Sequence, residues 1–325
     1  MDIQQYIERI FSIQSKNEFE ALSLEAFHYQ VENCEIYGDF VRHLNKPEPK
    51  TVSDIPFLPI SFFKTHKVID FNHDAAIIFK SSGTTGMERS KHFVVDEHIY
   101  QKSFSLGFNY FFGDLENCVI AALLPNYIEQ GDSSLIYMID HLIQQTKNEN
   151  SGFFLDDFSS LQSAYLNANA NGKKFILFGV SYALLDLAEA GMTFPEAVIF
   201  ETGGMKGRRE EWTKEQLHSF LCAHFQTTTI ASEYGMTELL SQAYSVEDGK
   251  FKTPPWMKAL IRDVNDPFSY VSEGKTGGIN IIDLANIYSC SFISTQDLGR
   301  HSGDTFQLMG RFDQADLRGC NMLVQ

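Results

Sequence analysis

Six consecutive small residues are the part of this 325-residue sequence best suited to binding an anion. They are Ser81, Ser82, Gly83, Thr84, Thr85 and Gly86. Serine and threonine hydroxyls can donate to phosphate oxygens, and glycine permits the positive φ angles that point successive N–H groups at one anion. The run is not a Walker loop, because the pattern G-x-x-x-x-G-K-[ST] is absent. A phosphate-binding loop and an ordinary polar turn are therefore both open.

Further polar motifs lie toward the C-terminus. They are Ser232-Glu233-Tyr234-Gly235-Met236-Thr237-Glu238, Thr295-Gln296-Asp297-Leu298-Gly299, Gly310-Arg311-Phe312-Asp313 and Arg318-Gly319. Each also has a structural explanation when taken alone. Tyr234 suits a hydrophobic core, Glu238 suits the first turn of a helix, and Asp297 suits a turn cap.

The elements that must position these motifs alternate between strands and helices. Strands are expected at residues 75–80 and 119–125, both buried, and at 174–180, 197–200, 227–231, 277–283 and 289–294. Helices are expected over the first 45 residues, from about Ser133, after an N-cap at Ser181 as far as Gly191, and around 214–225;. This alternation predicts an α/β fold with a largely parallel sheet. Such folds bind ligands at the carboxyl ends of their strands.

The motifs and their order resemble those of the adenylate-forming superfamily, which includes acyl-CoA synthetases, firefly luciferase and peptide-synthetase adenylation domains. The resemblance extends from about residue 75 to 320. It implies the large N-terminal-type domain of these enzymes, with mixed and parallel sheets layered with helices and a small β region near the C-terminus. We expect a helical segment at residues 1–50 and one compact catalytic domain at 51–325.

Residues 55–68, 123–140 and 201–208 are similar to the acyl-protein synthetase of bacterial luminescence. That enzyme adenylates a fatty acid and carries the acyl group as a cysteine thioester on its way to a reductase. The similarity implies a ligase that uses ATP and Mg²⁺, activates a carboxylic acid, here a fatty acid, and passes the acyl group to a thiol of itself or of a partner protein.

The resemblance also implies roles for individual residues. The hydroxyls and N–H groups of residues 81–86 would contact the β- and γ-phosphates. Tyr234, followed by Gly235, would flank the adenine, Thr237 would donate to the α-phosphate, and Glu238 would help hold Mg²⁺, which prefers carboxylate and phosphate oxygens. Gly203 and Gly204 would let the backbone pass against the adenosine. Asp297 would accept from the ribose hydroxyls, and Arg311 would lie against the ribose.

The sequence departs from the superfamily at its end. Full-length members continue into a mobile C-terminal domain that supplies a catalytic lysine, whereas this sequence stops at Gln325, so we expect no separate C-terminal domain. Another cation would then be needed. The candidates are Lys80, Arg89, Lys91, Lys206, Arg208 and Arg209. The last three have an alternative reading as a solvated basic turn.

Cys320 lies where the luminescence synthetase carries its acylated cysteine. Thiolates are strong nucleophiles and AMP is a good leaving group, so we hypothesise that Cys320 is the acyl carrier. The alternative is a terminal cysteine without function. The other cysteines, Cys34, Cys118, Cys222 and Cys290, are expected to be buried structural thiols.

The amino-acid composition argues against several other classes of protein. The 26 basic and 42 acidic residues give a net charge of −16, which argues against binding nucleic acid;. The first twenty residues have no signal-peptide pattern, and the longest apolar run, 119–125, is too short to span a membrane;. With no C-x-x-C pair, the cysteines fit a reducing compartment. We therefore expect a cytoplasmic protein.

Two other functions stay open at this stage. The chain could be an acyl- or aryl-CoA ligase without its C-terminal domain, or a catalytically silent nucleotide-binding relative. The Phe-rich segment 104–112 could line an acyl pocket, although a place in the core fits its spacing better.

Overall fold

The computed structural model describes residues 1–81, 88–124, 131–202, 212–247 and 249–312. Its helices are α1 (Ile3–Ile10), α2 (Lys16–Asn33), α3 (Glu35–Leu44), α4 (Phe62–Thr65), α5 (Glu97–Phe112), α6 (Ser134–Gln145), α7 (Phe158–Ala170), α8 (Ser181–Glu189) and α9 (Lys214–Phe225), with 3₁₀ turns at Val52–Asp54 and Leu115–Asn117. Its strands are β1 (Leu58–Pro59), β2 (Ile77–Lys80), β3 (Lys91–Val94), β4 (Cys118–Leu123), β5 (Gly152–Phe153), β6 (Lys174–Val180), β7 (Val198–Thr202), β8 (Ala231–Tyr234), β9 (Ala243–Ser245), β10 (Lys250–Phe251), β11 (Met257–Arg262), β12 (Gly277–Asp283), β13 (Phe292–Ser302) and β14 (Thr305–Arg311).

The chain forms two compact units. The first comprises Met1–Ile78, Glu88–Asp96 and Lys250–Gln325, and the second comprises Phe79–Met87 and Glu97–Gly249. The helical N-terminus expected from the sequence is present as α1 to α3, within the first unit. The proposed division into a helical segment and one catalytic domain at residue 50 stays a prediction.

A largely antiparallel sheet organises the first unit. Its strand order is β10-β14-β13-β12-β11, and β1 adds a short parallel pairing to β13. The buried side chain of Arg262 connects three strands: its guanidinium donates to the carbonyl oxygens of Ile279 at 2.7 Å and of Thr295 at 2.8 Å. A buried guanidinium needs such acceptors to offset the loss of its hydration. This sheet is the small β region expected near the C-terminus.

A mainly parallel sheet organises the second unit. Its order is β5-β4-β6-β7-β8-β9, and only β9 runs antiparallel to its neighbour. Every residue of β4 is buried, as expected for a strand covered by helices on both faces;. Phe104, Phe108 and Phe112 of α5 are also buried, which supports the core reading of the Phe-rich segment. The predicted α/β fold with a largely parallel sheet is confirmed.

Several sequence predictions about element boundaries were wrong. Residues 227–230 are not in a strand; β8 begins at Ala231, where pairing with β7 begins, so it contains Tyr234. Similarly, β13 extends to Ser302 because β12 and β14 pair with it beyond residue 294, and Asp297 therefore lies within a strand. In β2 only Phe79 is buried.

The expected N-cap at Ser181 was also wrong. Val180 is the N-cap of α8, and the Ser181 hydroxyl donates to a buried carboxylate instead. Among the described residues, no helix combines the length and the apolar character needed to cross a membrane.

Candidate active site

A cavity of about 150 Å³ lies in the second unit, where β7 and β8 end. The strands are parallel neighbours, so their carboxyl ends meet at one edge of the sheet;. The cavity is lined by Lys80, Tyr100, Ser133, Ser134, Leu135, Met138, Thr202, Glu233, Gly235, Met236, Thr237 and Gln242. This is the strand edge at which the sequence predicted ligand binding.

The cavity contains part of the predicted nucleotide site. Gly235 and Thr237 line it, whereas Tyr234 and Glu238 are each 5% exposed and are not among the lining residues. Gly235 also has a steric requirement, since a Cβ there would lie 2.1 Å from Oε1 of Glu233. The motif therefore places its glycine and its threonine at the cavity and its tyrosine in the core.

The remaining predicted site residues have different positions. Ser81 is half-buried next to Lys80. The predictions for Ser82, Gly83, Thr84, Thr85, Gly86, Gly203, Gly204 and Cys320, and for the cations Lys206, Arg208 and Arg209, lie outside the described residues. Asp297 and Arg311 belong to the first unit.

Asp297 and Arg311 form an ion pair on neighbouring strands. They are cross-strand partners in β13 and β14, and the Arg311 Nε donates to Asp297 Oδ1 at 3.0 Å. The Asp297 side chain is 12% exposed and that of Arg311 76% exposed. Because the arginine is exposed, solvent screens the pair, which stabilises the fold by about 1 kcal/mol at most;. The roles in binding ribose stay predictions.

Of the candidate cations in the described ranges, Lys80 lines the cavity. Its ammonium lies 3.1 Å from the carboxylate of Asp132, and its backbone N–H donates to the Asp132 carbonyl at 2.9 Å. Helix α6 begins nearby, and Ser133, Ser134 and Leu135 from its first turn and N-cap line the same cavity. Both a lysine and the positive end of a helix favour a bound anion. Arg89 and Lys91 are in the first unit.

Glu233 lines the cavity, and the sequence motifs assigned it no role. It precedes Tyr234 in β8, and its cross-strand partner in β9 is Tyr244. Burial raises the pKa of the Glu233 carboxyl to about 7, and the opposing effect of the Lys214 charge is smaller;. No signal in the sequence distinguished it, because strand register decides which motif residues face the cavity.

A second missed carboxylate, Glu201, lies in β7 beside Thr202. It is 7% exposed and accepts a hydrogen bond of 2.5 Å from the Ser181 hydroxyl. His218 Nε2 lies 3.7 Å and Lys214 Nζ 3.9 Å from its Oε2. Burial opposes ionisation, yet these partners lower the net pKa of Glu201;. The sequence shows His218 and Lys214 only as polar residues of a helix.

Three of the four described cysteines are buried as expected, and Cys222 is not fully buried. Cys34, Cys118 and Cys290 are buried and Cys222 is half-buried, and all four are free thiols. Burial raises the pKa of each thiol, to about 11 for Cys34;. Within the described part of the chain, no group of three or more His, Cys, Asp or Glu side chains is arranged to hold a metal ion.

The fold is similar to that of known adenylate-forming enzymes. The ATP-bound MatB from Rhodopseudomonas palustris has a TM-score of 0.55 at 17% identity, over 76% of this chain and 49% of that one. The O-succinylbenzoate coenzyme A synthetase MenE from Bacillus subtilis, in complex with AMP, has a TM-score of 0.51 at 18% identity, over 74% and 50%. The long-chain-fatty-acid-CoA ligase FadD1 from Archaeoglobus fulgidus has a TM-score of 0.53 at 15% identity, over 78% and 55%.

These similarities establish the fold class predicted from the sequence, that of the large domain of adenylate-forming enzymes. The chain spans about half the length of these solved structures. No protein-family model and no curated protein sequence matches the chain.

Proposed function

We propose that this chain is an ATP-dependent, AMP-forming ligase. It would activate a carboxylic acid, specifically a fatty acid, as the acyl-adenylate and pass the acyl group to a cysteine thiol. The observation that carries the proposal is the cavity where β7 and β8 end, because it brings Gly235 and Thr237 together with Lys80. Similar folds in ATP-bound and AMP-bound enzymes support the same chemistry.

The first half-reaction joins two anions, since a carboxylate attacks the α-phosphorus of ATP and pyrophosphate leaves. Such a reaction requires positioned donors and positive charge. Thr237 would donate its hydroxyl to the α-phosphate. Lys80, held by Asp132, and the N-terminus of α6 would favour the negative charge. The loop that follows Lys80, residues 81–86, would contact the outer phosphates.

Magnesium would be held in part by Glu238. Its carboxylate is a hard oxygen donor, and it follows the cavity residue Thr237 directly in the chain;. The ion would neutralise phosphate charge. By the resemblance, Tyr234 and Gly235 would form the adenine side of the site together with Gly203 and Gly204. The roles of Asp297 and Arg311 in binding ribose stay predictions.

Three features support a fatty acid and a thiol acceptor. FadD1 is named as a long-chain-fatty-acid-CoA ligase. Residues 55–68, 123–140 and 201–208 resemble the acyl-protein synthetase of luminescence. Cys320 then supplies an acceptor within the chain, and a partner reductase or carrier protein would take the acyl group from it. A cytoplasmic location would suit these free thiols;.

The first test is ATP–pyrophosphate exchange with Mg²⁺ across a panel of fatty and aromatic acids. We expect acid-dependent exchange that is fastest with a fatty acid. Thr237→Val should lower it about 100-fold, the lower end of the loss associated with one transition-state donor. The exposed Thr228→Val is the matched control and should leave exchange unchanged. Stabilisation by ATP without exchange would instead favour the silent nucleotide-binding alternative.

The second test concerns the acceptor. Incubation with ATP and the best acid should add one acyl group to the wild-type chain, labile to neutral hydroxylamine, as mass spectrometry would show. Cys320→Ser should abolish this modification, and Cys222→Ser, which changes the half-buried thiol, should not. If both variants were acylated like the wild type, Cys320 would not be the carrier. Product formed only with coenzyme A would favour the CoA-ligase alternative.

A further inference from the structure

Glu233 introduces a negative group into a cavity otherwise suited to anions. Among the lining residues Lys80 carries positive charge, and the first turn of α6 adds the positive end of a helix. An ordinary carboxylate at this position would repel a bound carboxylate or phosphate. A role in binding those substrates therefore does not explain Glu233, whereas a role in moving a proton does.

The surroundings of Glu233 prepare it to accept a proton. Tyr244 lies opposite it in β9 and packs against Phe108, Phe112 and Phe200, so its neighbour across the strands belongs to an aromatic cluster. Within the described residues, no hydrogen bond or ion pair holds the carboxylate. Its side chain folds over Gly235, and both line the cavity.

We propose that Glu233 is the general base of acyl transfer, the step in which a thiol attacks the acyl-adenylate. The inference rests on the proposed function and adds a catalytic residue to it. The sulfur forms a bond to the acyl carbon while the bond from that carbon to the phosphate oxygen breaks. AMP leaves with the electron pair, and the thiol proton moves to a carboxylate oxygen of Glu233 and then to solvent.

The base is needed because an ordinary thiol is mostly protonated at neutral pH. A carboxyl that titrates near 7 is well matched to take such a proton, since catalytic efficiency is greatest when the pKa of the base is near the working pH;. Two ionisable groups interact with it, Lys214 of α9 and Tyr244 of β9, and two more, Lys80 of β2 and Tyr100 of α5, line the same cavity. Of these, Lys214 is the one that lowers the pKa of Glu233.

The experiment compares two acceptors of the same acyl-adenylate in Glu233→Gln, Glu233→Asp and the wild type. N-acetylcysteamine is the thiol probe, and hydroxylamine, which is already a neutral nucleophile, forms the hydroxamate. The fatty acid is the one that gives the fastest pyrophosphate exchange. Because both products arise from one intermediate, the thioester-to-hydroxamate ratio corrects for any effect of a variant on adenylation.

We expect Glu233→Gln to lower this ratio about 100-fold, within the range for general bases, and Glu233→Asp to restore at least about a tenth of it. In the wild type, thioester formation should rise with pH around 7, and this rise should be absent in Glu233→Gln. If pyrophosphate exchange continues, a thioester-to-hydroxamate ratio that is unchanged in Glu233→Gln would overturn the inference. The same pH profile in this variant and in the wild type would also overturn it. Absence of exchange with every acid would overturn the proposed function and this inference with it.

Discussion

At the scale of single residues, Glu201 shows how a charged group can be kept inside the second unit. Removing a carboxylate from water is costly unless hydrogen bonds and opposite charges replace the lost hydration. Ser181 provides a hydrogen bond, and Lys214 and His218 stand within 4 Å. Because Lys214 is half exposed, solvent weakens its contribution;. Through these contacts, Glu201 near the end of β7 connects the first residue of α8 with two residues of α9.

We predict that Glu201→Gln lowers the free energy of unfolding at pH 7 by about 2 kcal/mol, the cost of breaking a buried charged network. The matched control is Glu215→Gln on the exposed side of α9. The pKa of Glu201 is lower in the folded state than its ordinary value of 4.5, so its stabilisation is complete above that value and is lost as the pH falls through the folded pKa;. Urea unfolding at pH 7 and pH 3.5 measures both effects, and equal losses for the two variants would refute the prediction.

The opposite pKa shift of Glu233 gives the opposite prediction for stability. In the folded state Glu233 titrates near 7, against 4.5 when exposed, so the folded state binds more protons between these values. Stability therefore falls as the pH rises from about 4.5 to 7, and the loss persists above 7. Glu233→Gln should be more stable than the wild type at pH 8 by about 1–2 kcal/mol, a partial share of 1.36 kcal/mol per pKa unit.

Denaturant unfolding at pH 8 and pH 4.5 tests this prediction. The advantage of Glu233→Gln should be absent at pH 4.5, where both proteins carry a neutral side chain. An advantage of equal size at both pH values would mean that shape, and not charge, is the cause. A cavity residue that lowers the free energy of unfolding is typical of a functional site, because activity is often gained at a cost in stability.

At the scale of elements, the pairing of α2 with α3 depends on one glycine. Gly38 is buried in α3, and a Cβ there would lie 2.4 Å from the carbonyl oxygen of Val31 in α2. Backbone cannot move aside as a side chain can. A Cβ at this position therefore fits only if the backbone of the two helices shifts.

We predict that Gly38→Ala lowers the free energy of unfolding by about 1–2 kcal/mol, because the cost of overpacking exceeds the gain of about 1 kcal/mol in helix propensity. The control is Gly152→Ala in β5, where a Cβ would meet nothing within 4 Å. It should change stability by less than about 0.5 kcal/mol. A stabilised Gly38→Ala would show that helix propensity dominates at this position.

The strand boundaries explain which parts of the site could be predicted from the sequence. Continuous apolar runs identified β4 and β6, since burial on both faces leaves a signal in the residues themselves;. The start of β8 and the end of β13 left no such signal, because pairing with neighbouring strands sets them;. The spacing of the motifs was therefore enough to predict Gly235 and Thr237 as site residues. Strand register and tertiary contacts were needed to identify Glu233 and Glu201.

At the scale of the whole molecule, each unit has its own sheet and its own buried thiols. Cys34 and Cys290 lie in the first unit, and Cys118 lies in the second. Each of the three is at most 1% exposed, and burial raises the pKa of each thiol. Alkylation of the folded protein therefore requires opening of the structure that surrounds the cysteine.

This arrangement allows the cooperativity of the two units to be measured directly. Peptide mass spectrometry can measure the rate at which iodoacetamide alkylates each thiol at pH 8. We expect one rate for Cys34 and Cys290 and a separate rate for Cys118, because each unit opens cooperatively as a whole. Gly38→Ala should raise the first rate about tenfold, the effect of 1.4 kcal/mol, and leave the second unchanged. A single rate for all three thiols, raised as a whole by Gly38→Ala, would show that the units open together. In that case a substitution in the first unit would also change the stability of the cavity residues in the second.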